Sequence, residues 1–244
     1  MTPADGPETE PIGADEVGHV HTDISGGWLR AATFGAMDGL VTNVSLVAGV
    51  GATGASSTVV VTAGLAGLVA GAFSMALGEY ASVSTQNEAI DKEVAVEAKE
   101  IAENPRAEVA ELAGMFVGMG MTERTAATAA GEVHRDPRRA VRLHVAQELG
   151  LDPEEKASPG AAAISSFLMF AIGALVPLLP YLAGSDSLPA GLAAGAVGLL
   201  LAGAVASAFT ATTWWWGALR QLGYGALAAA CTYGAGTLLG ISVL

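Results

Sequence analysis

Asp38, Met75 and Glu79 have the most chemistry to offer, because each sits in an apolar run. The segments read Phe34-Gly-Ala-Met-Asp38-Gly-Leu-Val and Gly71-Ala-Phe-Ser-Met75-Ala-Leu-Gly-Glu79-Tyr. An acid at membrane depth costs roughly 2.5–3.5 kcal/mol on insertion scales, so by default it marks a functional site. Met75 and Glu79 are four apart and share a helix face. Carboxylates alone suit Mg, Ca and Mn, whereas a thioether beside them leans toward softer transition metals. The three residues read as the ion path of a membrane protein that handles a divalent metal. The opposing possibility is that Glu79 lies at headgroup level and Asp38 near the other end of its span.

A second constellation lies between residues 85 and 158. Glu97/Glu100 and Glu108/Glu111 flank Pro105, each pair three apart and on one face. His144 and Glu148, four apart, share a face on a further helix predicted over 136–149. Carboxylates from two helices and a Glu/His pair from a third build metal sites in helix bundles. Spacing alone leaves a second reading open, since Glu-rich helices with interspersed Lys such as Lys99 are ordinarily solvated. Met115, Met119 and Met121 read as packing residues, and His134, beside Arg135, as a surface residue. Glu132, Asp152, Glu154 and Glu155 have no assigned role beyond solvation. His19 and His21 form a His-x-His pair, read as solvated rather than metal-bound.

The elements that must position these residues are apolar helices. The chain has 244 residues, 52% hydrophobic and 14% charged, with mean hydropathy +0.48. That is too apolar for an ordinary soluble domain of this length. Five stretches reach the roughly 20 apolar residues a membrane helix needs: 31–53, 58–84, 160–182, 188–213 and 217–243. Gly51-Ala-Thr-Gly54 and Gly184-Ser-Asp-Ser-Leu-Pro189 separate them as turns. Trp214-Trp215-Trp216 with Arg220 reads as an interfacial anchor before the fifth. Pro177 and Pro180 should kink or end the third span. From Ser56 to Asn104 there is no proline, so one helix can cross the membrane and project as a stalk; Gly78 and the Ser/Thr cluster 82–85 are its weakest points.

Charge orients the bundle. All eleven basic residues lie at Arg30, at Arg220 or in the middle segment. The positive-inside rule then puts the N-terminus, that segment and the fourth-to-fifth loop in the cytoplasm. The net charge of −13 leaves this unchanged, because Asp and Glu contribute little to topology. Residues 1–27 are acidic, with no basic n-region and no apolar run, and are expected to be a disordered cytoplasmic tail without a secretory signal. Gly67-x3-Gly71, Gly191-x3-Gly195 and Gly236-x3-Gly240 fit either a tight bundle or a homodimer. Asn43, Ser45, Ser74 and Gln86 are candidates for hydrogen bonds between helices. The single cysteine, Cys231, excludes an internal disulfide and a Cys-based metal site and reads as a small core residue. No nucleophile–base pair, phosphate loop or nucleic-acid patch is visible, which argues against an enzyme.

The string Trp28-Leu-Arg-Ala-Ala-Thr-Phe-Gly-Ala-Met-Asp38-Gly-Leu-Val-Thr-Asn43 resembles the first-span signature of the vacuolar iron transporter family. Gly71-Ala-Phe-Ser-Met75-Ala-Leu-Gly-Glu79-Tyr-Ala-Ser-Val-Ser resembles its second, and the likeness covers about 28–244. The resemblance implies an all-α polytopic protein with five transmembrane helices and a cytoplasmic helical metal-binding domain between the second and third. The divisions would be 1–27, 28–87, 88–158 and 159–244. It implies a homodimer with the ion path at its two-fold interface, exporting Fe(II) from the cytoplasm against protons. In that pattern Asp38 and Met75 match the path, and Glu97, Glu100, Glu108, Glu111 and Glu148 match cytoplasmic ligands. This chain has His144 and Val145 where plant and parasite members carry methionine, so Mn(II) or Zn(II) stand beside Fe(II) as expected ions. A membrane-anchored iron store or oxidase is the other class left open. The composition suits a bacterial chain, for which the plasma membrane is the expected location.

Overall fold

The computed structural model describes residues 27–243 apart from 151 and 211, without the side chains of 240–243. The expected acidic tail up to residue 26, with His19 and His21, lies outside the described residues. Among the described residues every regular element is helical.

Helix α1 (Trp28–Ala52) ends in a turn where Gly54 takes a φ of 77°, a left-handed conformation open to glycine. Helix α2 (Ser57–Glu103) runs 47 residues without a break. At 1.5 Å per residue that is about 70 Å, more than twice the roughly 30 Å of a bilayer's hydrocarbon core. Neither Gly78 nor the 82–85 cluster interrupts it. Asn104 ends it, and Pro105 opens α3 (Pro105–Gly118) at a position where a missing N–H costs no helix bond. Helices α4 (Glu123–Val133) and α5 (Pro137–Leu149) start on side-chain caps. Thr122 accepts from the Thr125 N–H, and Asp136 from those of Arg138 and Arg139.

Helix α6 (Pro159–Leu175) passes through one 3-10 turn, Val176–Leu178, into α7 (Leu179–Leu182). Pro177 and Pro180 each remove a donor there. Helices α8 (Leu188–Ser207) and α9 (Trp214–Val243) complete the chain. Among the described residues four helices are long and apolar enough to cross a membrane: Trp28–Ala52, Ser57–Glu103, Pro159–Leu182 and Leu188–Ser207. The fifth expected stretch falls in α9, helical over 30 residues. The fourth span, expected to run to 213, stops at Ser207. Thr210 accepts from the Thr212 N–H and donates to Ser207 O, and such local bonds compete with a helix. The three tryptophans therefore open α9.

Helix α6 packs most heavily against α1 and α2, α1 also against α9, and α8 against α9. The close crossings are made by glycines. A Cβ on Gly39 would overlap the Phe170 carbonyl, and one on Gly173 the Ala36 carbonyl. A Cβ on Gly236 of α9 would likewise overlap the Gly49 carbonyl of α1. The expected motif glycines mostly receive side chains instead: Gly71 the Phe170 ring, Gly195 Val44. Asn43 is wholly buried. Its Nδ2 donates to Gly64 O at 3.2 Å and to Ala174 O at 2.5 Å, joining α1 to α2 and α6. Ser74 and Gln86 are exposed, and Asn87 bonds across instead, to Ala157 O at 3.0 Å.

Outside this bundle, Leu112 and Phe116 of α3 close on Ala126 and Ala130 of α4, with Met115 packed alongside. Met119 and Met121 are exposed, contrary to the packing role expected of them; they lie past the last turn of α3. Cys231 is also exposed rather than core, because α9 turns Gly225, Thr232 and Gly236 toward its neighbours.

Candidate metal centre

Three helices converge on His144. The break at Asn104–Pro105 sets α3 off from α2, so Glu97 in the last turns of α2 and Glu108 in the first turn of α3 both become buried. Helix α5 packs on α2 and brings His144, which has no exposed surface. His144 Nδ1 lies 3.1 Å from Glu97 Oε1, 3.7 Å from Glu108 Oε2 and 3.3 Å from Glu148 Oε1. Donor atoms of Glu97, Glu108 and His144 all fall within 4.8 Å of one another. That spacing suits one cation bound at about 2.0–2.2 Å by nitrogen and oxygen.

Electrostatics point the same way. Glu97 Oε1 is buried and has no hydrogen-bond partner, although such groups in native proteins are nearly always satisfied. One imidazole edge cannot serve three carboxylates. Burial, then the charge of Glu148, push the Glu97 carboxyl up to about 7; His144 opposes the rise, and Glu108 and Glu111 add to it. A cation among these groups would supply both the missing partner and the missing positive charge.

Two of the other expected ligands, Glu100 and Glu111, stand apart from this group. Glu100 Oε2 accepts from Asn104 Nδ2 at 3.0 Å, and Glu111 is exposed on α3. Glu148 is one helical turn beyond His144, its side chain a third exposed.

In the bundle, Arg30 Nη2 donates to Glu79 Oε2 at 2.9 Å. With the Asn43–Gly64 bond, this pair sets α1 and α2 antiparallel in register. Glu79 therefore lies level with the start of α1. Met75 is about 6 Å further along and Asp38 about 12 Å, at 1.5 Å per residue. Asp38 is partly buried; Met75 packs against Phe170 and Ala72. The three are stepped in depth rather than gathered at one point.

Sequence reasoning missed two partners. One is Arg30, the cation for Glu79; the first basic residue of one span and the last acid of the next are natural neighbours in an antiparallel pair. His134, expected at the surface, is half-buried and sits 3.3 Å from His144, Nε2 to Nε2. The short His134-Arg135-Asp136 link between α4 and α5 is the available signal.

The VIT family profile matches residues 29–237. The chain is 35% identical over 225 residues to "Vacuolar iron transporter" of Acanthamoeba castellanii, covering 90% of this chain and 82% of that one. It is 31% identical over 213 residues to "Vacuolar iron transporter 1" of Oryza sativa, covering 86% and 84%. To the protein of that name from Eucalyptus grandis it is 31% identical over 212 residues, covering 84% of each.

Proposed function

The chain belongs to the VIT family of multi-pass membrane transporters, not enzymes, and on that premise we propose that it moves Fe(II) out of the cytoplasm in exchange for protons. The observation that carries the capture step is the orphaned, buried Glu97 Oε1 beside Glu108 and His144. Glu97, Glu108, His144 and Glu148, with Glu100 and Glu111 on the outer faces, collect the ion and raise its concentration near the membrane. The ion then displaces Arg30 from Glu79, passes Met75 and reaches Asp38. A carboxylate must lose its proton to bind metal, so the two compete. That competition at Asp38 or Glu79 exchanges one for the other.

The rest of the architecture belongs to the same proposal. Five spans, α9 being the last, would leave the N-terminus and the segment 88–158 in the cytoplasm. A homodimer would bring two such paths to its interface; Phe34 of α1 and Phe73, Leu77 and Tyr80 of α2 are exposed and apolar, which supports a lipid or second-copy neighbour there. In a bacterial chain, which the composition suits, the membrane would be the plasma membrane.

The test is Fe(II) flux into liposomes under an imposed pH gradient, with wild type beside Asp38→Ala. Gradient-driven flux that Asp38→Ala loses while staying folded is the expected result. Full transport by that variant would refute the path. Mn(II) competing as well as Fe(II) would make it a mixed-metal carrier. Binding without flux in either protein would point to a membrane-anchored store.

A further inference from the structure

His134 touches the metal centre from behind. Its Nδ1 is 2.8 Å from Ala130 O, and a carbonyl only accepts, so that nitrogen carries a hydrogen. In the neutral ring its Nε2 is then a bare lone pair. That lone pair faces His144 Nε2 at 3.3 Å, so the hydrogen between them belongs to His144. His144 Nδ1 is left open, and it is the atom ringed by Glu97, Glu108 and Glu148. We propose that His134 is a positioning residue that holds His144 in its Nε2–H tautomer and so presents Nδ1 to the cation.

The inference rests on the metal centre proposed above and deepens it. Histidine ligands almost always donate their second ring N–H to an outer acceptor, which sets tautomer and ring orientation. Usually that acceptor is a carboxylate, a carbonyl or water. His144 has no exposed surface, so bulk water cannot take the place of His134. The His134 ring borders an open, mostly apolar cleft shared with Val94, Ile101, Pro105 and Val141, so it can be replaced without cutting into a packed core.

The experiment uses the full-length protein in detergent, labelled with nitrogen-15 histidine; four histidines in the chain keep the spectrum assignable. At pH 8 His144 should carry its proton on Nε2, and Zn(II), as a diamagnetic probe, should shift the Nδ1 resonance. His134→Leu removes the acceptor; it should mix the His144 tautomers and weaken Zn(II) and anaerobic Fe(II) binding about 10–100-fold. His134→Gln, whose Oε1 accepts, should restore both. A wild-type His144 protonated on Nδ1, or a His134→Leu protein with unchanged tautomer and affinity, overturns the inference. His144→Ala separates the two levels. Wild-type affinity in that variant overturns the metal centre itself, whereas loss there without loss in His134→Leu overturns only the positioning role.

Discussion

Glu97 is the residue whose state governs the centre. Its carboxyl is held up to about 7 from an ordinary 4.5, first by burial and then by Glu148. The folded protein therefore keeps a proton that the unfolded chain would release. Glu97's contribution to stability is full below pH 4.5 and is lost as pH rises through about 7. Glu97→Gln, neutral at every pH, should raise the unfolding midpoint of the metal-free protein at pH 8 and leave it unchanged at pH 4. Metal binding has the opposite sign. The proton must leave, so affinity should fall about tenfold per pH unit below 7. Isothermal titration at pH 6, 7 and 8 would check this, and Glu97→Gln should bind weakly with a flatter profile. The spacings of Glu97, Glu108, His144 and Glu148 were readable in the sequence. Which carboxylates would be buried was not, because Glu100 and Glu111 have the same local pattern and differ only in what packs over them.

At the scale of elements, the helices were legible and their crossings were not. Apolar length and proline positions mark α1, α2, α6 and α8, since bilayer thickness and missing donors act locally. Crossings depend on which glycines face another backbone. The expected glycine pairs lie on α2, α8 and α9, and Gly236 of α9 does meet the Gly49 carbonyl, yet Gly35 and Gly39 of α1 make an equally close contact against α6. Adding a methyl at Gly39 would push it into the Phe170 carbonyl, so Gly39→Ala should destabilise by about 1–3 kcal/mol, the usual cost of overpacking. Gly114 in α3 has open space where its Cβ would be. Gly114→Ala should stabilise by about 0.5–1 kcal/mol through helix propensity alone. Thermal unfolding in one detergent would read both; equal effects would mean that the α1–α6 contact is looser than its geometry. Asn43 is a second fastener. Asn43→Leu removes two bonds between helices and should cost about 1–3 kcal/mol by the same measurement.

For the whole molecule the open quantity is how many times the chain crosses. Four helices meet the requirement among the described residues, and α9 decides whether there is a fifth. Its 30 residues span about 45 Å at 1.5 Å each, enough for a hydrocarbon core of about 30 Å. Arg220 and Gln221 sit near its start beside the exposed Trp214, Trp215 and Trp216, the arrangement of a cytoplasmic anchor. Its apolarity is diluted by Tyr224, Thr232, Tyr233 and six glycines between 217 and 240, which explains why composition alone marks it weakly. These small residues serve contact, as Gly236 against Gly49 and Gly217 against Gly203 show. The chain has one cysteine, so a Cys231→Ser background makes the topology measurable. Thr122→Cys and Thr212→Cys should react with an impermeant maleimide only from the cytoplasmic face, and Ser185→Cys only from the other. A C-terminal tag should be cleaved by protease from that other face, because a fifth crossing carries it there. A tag reached from the cytoplasmic side would leave α9 folded back along the membrane and the bundle with four crossings. Asp38 would then have to carry its ion through a bundle lacking α9, even though α9 packs along α1 over much of its length. That packing favours the fifth crossing: a helix held against α1 at Gly49 and Ser45, well beyond Asp38 along α1, must reach the same depth in the bilayer.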